Sequence, residues 1–190
     1  MKKFFFALLV AMCGAMPLFA DDVAEVKTVI VKDLELGTKG DFAGKLALYA
    51  PDYVQMDSDG TSCNYEVIRW LMLSLDGKHP EEFLLVCETM DNNNVMPSAA
   101  VRAEICKAAR DPELIKRYET ICPALFSDAK AKVALKLKTL KFVNVQVDGD
   151  KATVVIEYDI KKNGAVRREM ATSFLRRVNG KWIFYRTVRK

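Results

Sequence analysis

Three Asx-Gly steps divide the last third of the chain into four apolar-rich runs, and no other feature restricts the fold as tightly. Phe142 to Val147 leads to Asp148-Gly149, Ala152 to Ile160 leads to Asn163-Gly164, and Val166 to Val178 leads to Asn179-Gly180, before Trp182 to Val188. Asx-Gly pairs accept the positive φ angles of tight hairpin turns. Four antiparallel strands in a meander are expected. Along the second run Ala152, Val154, Ile156, Tyr158 and Ile160 share one face, because successive side chains of a strand alternate. That face is expected to be the core side. On the last run Trp182, Phe184 and Arg186 are expected on one face, and Ile183, Tyr185 and Thr187 on the other.

The chain upstream reads as helical. Val23, Val26, Val29, Ile30, Leu34 and Leu36 recur mostly at helical spacing, which predicts a helix over about 22–36. Gly37 closes it, and a short helix over 41–49 carries Phe42, Leu46 and Tyr49 on its apolar side. Pro51 is expected to end that helix, with a strand over Tyr53–Met56 and a turn at Asp57-Ser58-Asp59-Gly60. A third helix over about 64–76 places Val67, Ile68, Leu71, Met72 and Leu75 in a stripe flanked by Trp70. Such a stripe reads as core packing, and no cofactor is expected.

Between Gly77 and Leu137 lie further helix starts, at His79-Pro80-Glu81-Glu82 and at Asp111-Pro112-Glu113-Leu114, where proline and acids suit a first turn. Helices are expected near 80–90, 98–109, 111–122 and 127–137. The run Asp91 to Asn94 breaks the first of these and Pro123 ends the third. Residues 127–137 also fit a strand, since Val133, Leu135 and Leu137 alternate with lysines. Helices and one strand followed by a long antiparallel sheet form an α+β order.

Lys2 and Lys3 precede an apolar run, and small residues lead to Ala20 before Asp21 and Asp22. This is the pattern of a cleaved secretory signal peptide. Met12 stands where a lipoprotein needs a small residue before Cys13, so cleavage near Ala20 is expected rather than lipidation. The apolar run is shorter than the ~20 residues that span a bilayer, and no second such run follows. The expectations are a signal peptide over 1–20, a single domain over 21–190, and a periplasmic or secreted location without an integral membrane segment. Removing residues 1–20 takes two lysines and no acid from a chain of formal charge +4. Such a balance supplies no strong field for nucleic acid, which is not an expected partner.

Cys63, Cys87, Cys106 and Cys122 remain after that cleavage. They are expected as buried thiols or as one or two disulfides, whose pairing the spacing does not choose. If residues 98–109 and 111–122 are antiparallel helices, Cys106 and Cys122 are offset by roughly 10 Å along the axes, which disfavours that bridge. With no CxxC pair and no Cys/His cluster, no metal site is expected.

Gly40 to Gly60, GDFAGKLALYAPDYVQMDSDG, runs from a short amphipathic helix into a strand that ends on an acidic turn. Gly40, Asp41, Gly44, Ala47, Leu48, Ala50, Asp52, Asp57 and Gly60 resemble the opening of NTF2-like domains, the superfamily of SnoaL-like proteins and ketosteroid isomerases. The resemblance implies a cystatin-like curved antiparallel sheet around N-terminal helices, with a conical pocket, and makes residues 78–130 an inserted helical segment. It also implies a general base at Asp57, whose carboxylate would work in an apolar cone. The isomerase tyrosine falls at about Asp33 and its protonated acid near Thr172, so the donors for an oxyanion are lacking. Asp57 as a turn-forming or helix-capping acid is the reading preferred to the catalytic base.

Tyr49, Tyr53, Trp70, Tyr158 and Tyr185 supply aromatics for a ligand pocket, or for the core. His79, the only histidine, is expected at a helix start and exposed. The expected function is an exported, non-catalytic domain that binds a small apolar or amphipathic ligand in its cone, or a protein partner through the sheet or the insertion. A homodimer through the sheet and a lyase or isomerase using Asp57 are the other readings.

Overall fold

The computed structural model describes residues 2–92, 95–162 and 164–190, with side chains from residue 21 onward. In chain order the elements are α1 (Lys2–Lys39), α2 (Phe42–Leu46), β1 (Tyr49–Met56), β2 (Ser62–Asn64), α3 (Tyr65–Leu73), α4 (Pro80–Asp91), α5 (Ala99–Ala108), α6 (Pro112–Thr139), β3 (Lys141–Asp148), β4 (Lys151–Lys162), β5 (Ala165–Val178) and β6 (Lys181–Arg189). The signal-peptide reading concerns side chains outside the described residues, as do Asn93 and Asn94 of the polar break and Asn163 of the second turn. Among the described residues no helix is long and apolar enough to cross a membrane.

The architecture is α+β, a six-stranded curved sheet in the order β2-β1-β6-β5-β4-β3 with helices against one face. β3 to β6 form the expected meander. Asn179 and Gly180 both take positive φ, 50° and 75°, as a tight hairpin turn requires. The sheet is not wholly antiparallel, because β1 pairs with β6 in parallel. Pro51 does not precede the strand but lies within it, at the irregularity between Tyr49 and Val54 where the ladder needs no donor from it.

One face of the sheet closes over α1 and α2. Val26 and Ile30 of α1, Phe42 and Leu46, Ile68 and Met72 of α3, and Val154, Ile156, Leu175, Trp182 and Phe184 of the sheet share this core. The backbone turns from α1 into α2 at Gly40, whose φ is +77° and whose Cα faces the Phe126 ring so closely that a Cβ there would lie 2.7 Å from it. Only glycine meets both conditions without strain.

Pro123 does not end a helix. α6 runs for 28 residues through it, forgoing one backbone hydrogen bond. Residues 127–137 are helical, so the alternation of Val133, Leu135 and Leu137 with lysines does not make a strand. Packing against α1 and β4 decides the matter, with Phe126 set edge-on to Phe42 at 5.8 Å. Phe126 of α6 and its C-cap residue Leu140 pack against the main core.

α3 is shared between two cores. Ile68 and Met72 face the sheet, whereas Trp70, 1% exposed, packs with Leu85 and Val86 of α4, flanked by Val67, Met96 and Ile105. α4 and α5 therefore cover the far side of α3. All four cysteines described are free, with Cys106 exposed and Cys122 buried.

Candidate functional site

Between α1, α6 and the concave side of the sheet lies a small cavity of about 90 Å³. Tyr49, Tyr53 and Gln55 of β1, Tyr158 of β4, Ser173 of β5 and Arg189 of β6 belong to its walls. A wider cleft of about 250 Å³ shares Asp33, Tyr49, Tyr53, Gln55, Lys136 and Arg189 with it and continues along Ile68, Met72, Leu75, Phe126 and Val133. The two form one hollow, polar at its deep end and apolar towards α3 and α6.

A bulge makes the polar end. In the pairing of β5 with β6, Phe174 faces Arg186 but the next residue, Leu175, faces Phe184, so Tyr185 is an extra residue in β6. Trp182 and Phe184 point into the core. Beyond the bulge Thr187 and Arg189 do so instead, and both line the cavity. The expectation that Arg186 shares a face with Trp182 and Phe184 is thus corrected: Arg186 lies over the Phe174 ring, 5.6 Å from its centre.

Of the five aromatics singled out, Tyr49, Tyr53 and Tyr158 meet at this cavity and two do not. Trp70 is on the opposite side of α3 in the second core. Tyr185 is on the outer face, opposite to its neighbour Phe184, beside Phe174 at 6.2 Å. Tyr49 and Tyr53 are set edge to face at 4.6 Å, and Tyr49 stacks on Phe184 at 5.1 Å.

Asp33 is buried and bonded from two sides. It accepts from Lys45 Nζ at 2.5 Å and from Tyr49 Oη at 2.8 Å. Burial, reinforced by the Asp33 carboxylate, pushes the Tyr49 phenol well above its ordinary range. Tyr49 is therefore a fixed donor to Asp33 rather than an acid. Thr172 is on the convex side of β5, since Ala171, Ser173 and Leu175 are the buried residues of that strand.

Asp57 does not line the deep cavity. It stands at the outer mouth, where its Oδ1 lies 3.4 Å from Arg189 Nη1 and accepts from Gln55 Nε2 at 3.2 Å. Its main chain closes the turn expected there, donating to Thr61 O and accepting from Gly60 N. The mouth groove continues past Asp57, Lys132, Lys136, Lys162 and Glu169.

Sequence reasoning passed over Lys136. Its ammonium lies 4.7 Å from the centre of the Tyr158 ring and belongs to the walls of the cavity, the cleft and the groove alike. Of the acids near it Asp33 is engaged by Lys45 and Asp57 by Arg189, and Glu169 shares the mouth groove without reaching ion-pair distance, which leaves Lys136 without an ion pair among the described residues. Burial, and then the charge of Arg189, bring its amine down to about 8. A signal for it existed: Phe126, Ala129, Val133, Lys136 and Leu140 recur at three- and four-residue steps, which puts the lysine on an apolar helical stripe.

An α+β domain whose curved sheet closes over helices around a hollow is the class that fold and site define, and in this the chain is similar to solved NTF2-like structures. No family model matches it, and no curated protein does. One similar structure is an NTF2-like protein of unknown function from Shewanella oneidensis, at 12% identity and a TM-score of 0.44, covering 87% of this chain and 96% of the other. Another is an NTF2-like protein with a cystatin-like fold from Novosphingobium aromaticivorans, at 15% identity and a TM-score of 0.47, covering 95% and 88%. A ketosteroid isomerase-like protein from Erwinia carotovora is similar at 14% identity and a TM-score of 0.42, covering 88% and 94%. None of these likenesses carries a residue's role to this chain.

Proposed function

We propose that this chain is an exported, non-catalytic NTF2-like binding domain, and that its hollow takes a small amphipathic ligand with an anionic head. The observation that carries the reading is the pairing of an apolar cleft with a cation that has no ion pair among the described residues. Ile68, Met72, Leu75 and Phe126 offer a dry wall, while Lys136 and Arg189 stand together where the cleft meets the cavity. Ligand sites combine a mostly apolar lining with a few polar groups that fix orientation, and a carboxylate here would supply Lys136 with the partner it lacks. Removal of residues 1–20 is compatible with the fold, because Val26 and Ile30 of α1 lie beyond the cleavage point and supply core contacts.

The test is calorimetric titration with a medium-chain fatty acid and with the alcohol of equal chain length. The acid is expected to bind at least ~10-fold more tightly, the worth of one charge-assisted contact. Equal affinities would remove the anionic-head reading, and no binding of either would remove the hollow as a ligand site. Native mass measurement of the gently purified protein adds an independent check, since a resident ligand leaves a discrete excess mass that disappears on denaturation.

A second reading, a homodimer through the sheet, is favoured by the convex face. Val54 and Met170 are exposed there, and the Phe174 and Tyr185 rings are flanked by Arg176 and Arg186. Aromatic and arginine side chains with methionine are the composition of interface centres. Use of Asp57 as a catalytic acid or base has no comparable support, since its carboxylate is committed to Arg189 and Gln55.

A further inference from the structure

We propose that the first turn of α4 holds a zinc ion, ligated by His79 Nδ1 and by the carboxylates of Glu81 and Glu82. The three side chains offer one ligand atom each within 4.8 Å of one another. The distances matter more than the company. His79 Nδ1 lies 3.5 Å from Glu81 Oε1 and 3.7 Å from Glu82 Oε2, both too long for hydrogen bonds. Ligands at about 2.1 Å in a tetrahedron stand about 3.4 Å apart, whereas an octahedron at the same bond length brings neighbours to about 3.0 Å. The two separations from His79 fit the tetrahedron within a few tenths of an ångström.

Glu82 supplies an independent observation. The residue is only 7% exposed, and its Oε2, directed at His79, has no hydrogen-bond partner among the described residues. A buried carboxylate oxygen left without a donor costs of the order of 1–3 kcal/mol, and more when charged. Its other oxygen is the one nearest Arg69, 3.6 Å from Nη1. A cation between Oε2 and the imidazole removes this deficit.

The remaining ring nitrogen is also provided for. His79 Nε2 lies 3.5 Å from Asp76 Oδ2. Metal-bound histidines usually direct their second nitrogen at a carboxylate, which sets the tautomer and ring orientation. Asp76 would thus be an orienting residue and not a ligand. The partial positive charge of a helix N-terminus opposes a cation, but two carboxylates in the first turn outweigh a half-charge. Three protein ligands leave the fourth position to water. The cysteine spacing that argued against a metal says nothing about this histidine–carboxylate set, which shows only once Pro80 starts the helix.

A site of this kind would pin the connection from α3 onto α4 and so close the inserted helices against the second core. Zinc titration of the purified protein against a chromogenic competitor, under reducing conditions, tests it. One zinc per chain is expected, with affinity reduced at least ~10-fold in His79→Ala and in Glu82→Gln. Cobalt substitution should give tetrahedral visible bands without the near-ultraviolet thiolate band that cysteine ligation produces. Because Glu82 is buried, the half-exposed Glu81→Gln serves as a third variant whose folding is safe, and its affinity should fall as well. Absence of binding in the wild type, equal affinity in all three variants, or a thiolate band would each overturn the proposal.

Discussion

Lys136 of α6 lies over the Tyr158 ring of β4, 4.7 Å from its centre, with no carboxylate to pair it among the described residues. The cation–π contact offsets only part of what desolvation costs an ammonium. Lys136→Met should therefore stabilise the protein, by of the order of 1 kcal/mol once partial solvent access is discounted, while it lowers affinity for an anionic amphipath. Chemical denaturation and the fatty-acid titration read the two effects separately. Loss of stability in this variant would show that the lysine is structural.

The same lysine predicts a pH dependence. Its amine is brought from 10.5 down to about 8 in the folded protein. Between those values the unfolded chain holds a proton that the folded chain has released, so its contribution to stability rises with pH across the window from about 8 to 10.5. Below about 8 the penalty is fully present. Lys136→Met should flatten the stability profile in that window. Affinity for the fatty acid should fall as pH rises through about 8, because the neutral amine loses its attraction for the carboxylate.

Asp33 is the acid deep in the hollow, and two donors depend on it. Asp33→Ala leaves the Tyr49 hydroxyl without its acceptor and the Lys45 ammonium without its counter-charge, with only the main-chain oxygen of residue 33 still accepting from it, at an expected cost of about 2–4 kcal/mol. Asp33→Asn keeps an acceptor for Tyr49 and should cost less. An alanine variant as stable as the wild type, by thermal or denaturant unfolding, would contradict this account of the network.

Asp57→Asn separates the two roles considered for that residue. The substitution removes one charge 3.4 Å from Arg189. If the hollow binds anions, Arg189 becomes freer to attract the ligand head, and affinity should increase about fivefold, the equivalent of about 1 kcal/mol for charges at this range in water. A catalytic base would instead show itself by abolished turnover of an identified substrate. Unchanged or weaker binding would sink the assignment of Arg189 to the head-group site.

Gly40→Ala should destabilise the fold by about 1–3 kcal/mol through its left-handed backbone, with a further penalty from the Phe126 ring. In the double variant with Phe126→Ala the steric part disappears while the backbone part persists. Unfolding titrations of the two single variants and the pair should show a favourable coupling term. Strict additivity would mean that the ring moves aside freely.

Much of this architecture could be read from residue spacing. The meander declared itself through Asx-Gly turns, and the α1 face through Val26 and Ile30. α6 was harder, because Lys132 to Lys138 satisfies both periods and Pro123 is an ordinary stop signal. Contacts with α1 and β4, which no local rule contains, settle it as one helix. The site was half legible. Tyr158 follows from strand alternation, whereas Tyr49, expected on a helix, reaches the cavity from β1, and Trp70 was misplaced because α3 buries two sides rather than one. Arg186 and Thr187 were assigned to the wrong faces because alternation assumes an unbroken ladder.

The extra residue in β6 acts on the sheet as a frameshift acts on a coding strand. Before Tyr185 the even-numbered residues face inward, and after it the odd-numbered ones do. The same residues laid out as a plain ladder, with no bulge to take up Tyr185, would exchange the two surfaces downstream, turning Val188 inward and Arg189 out to solvent. The fold would keep its strands and lose a cation from its interior. One residue, far shorter than any inserted helix, thus decides whether the end of the hollow is greasy or charged.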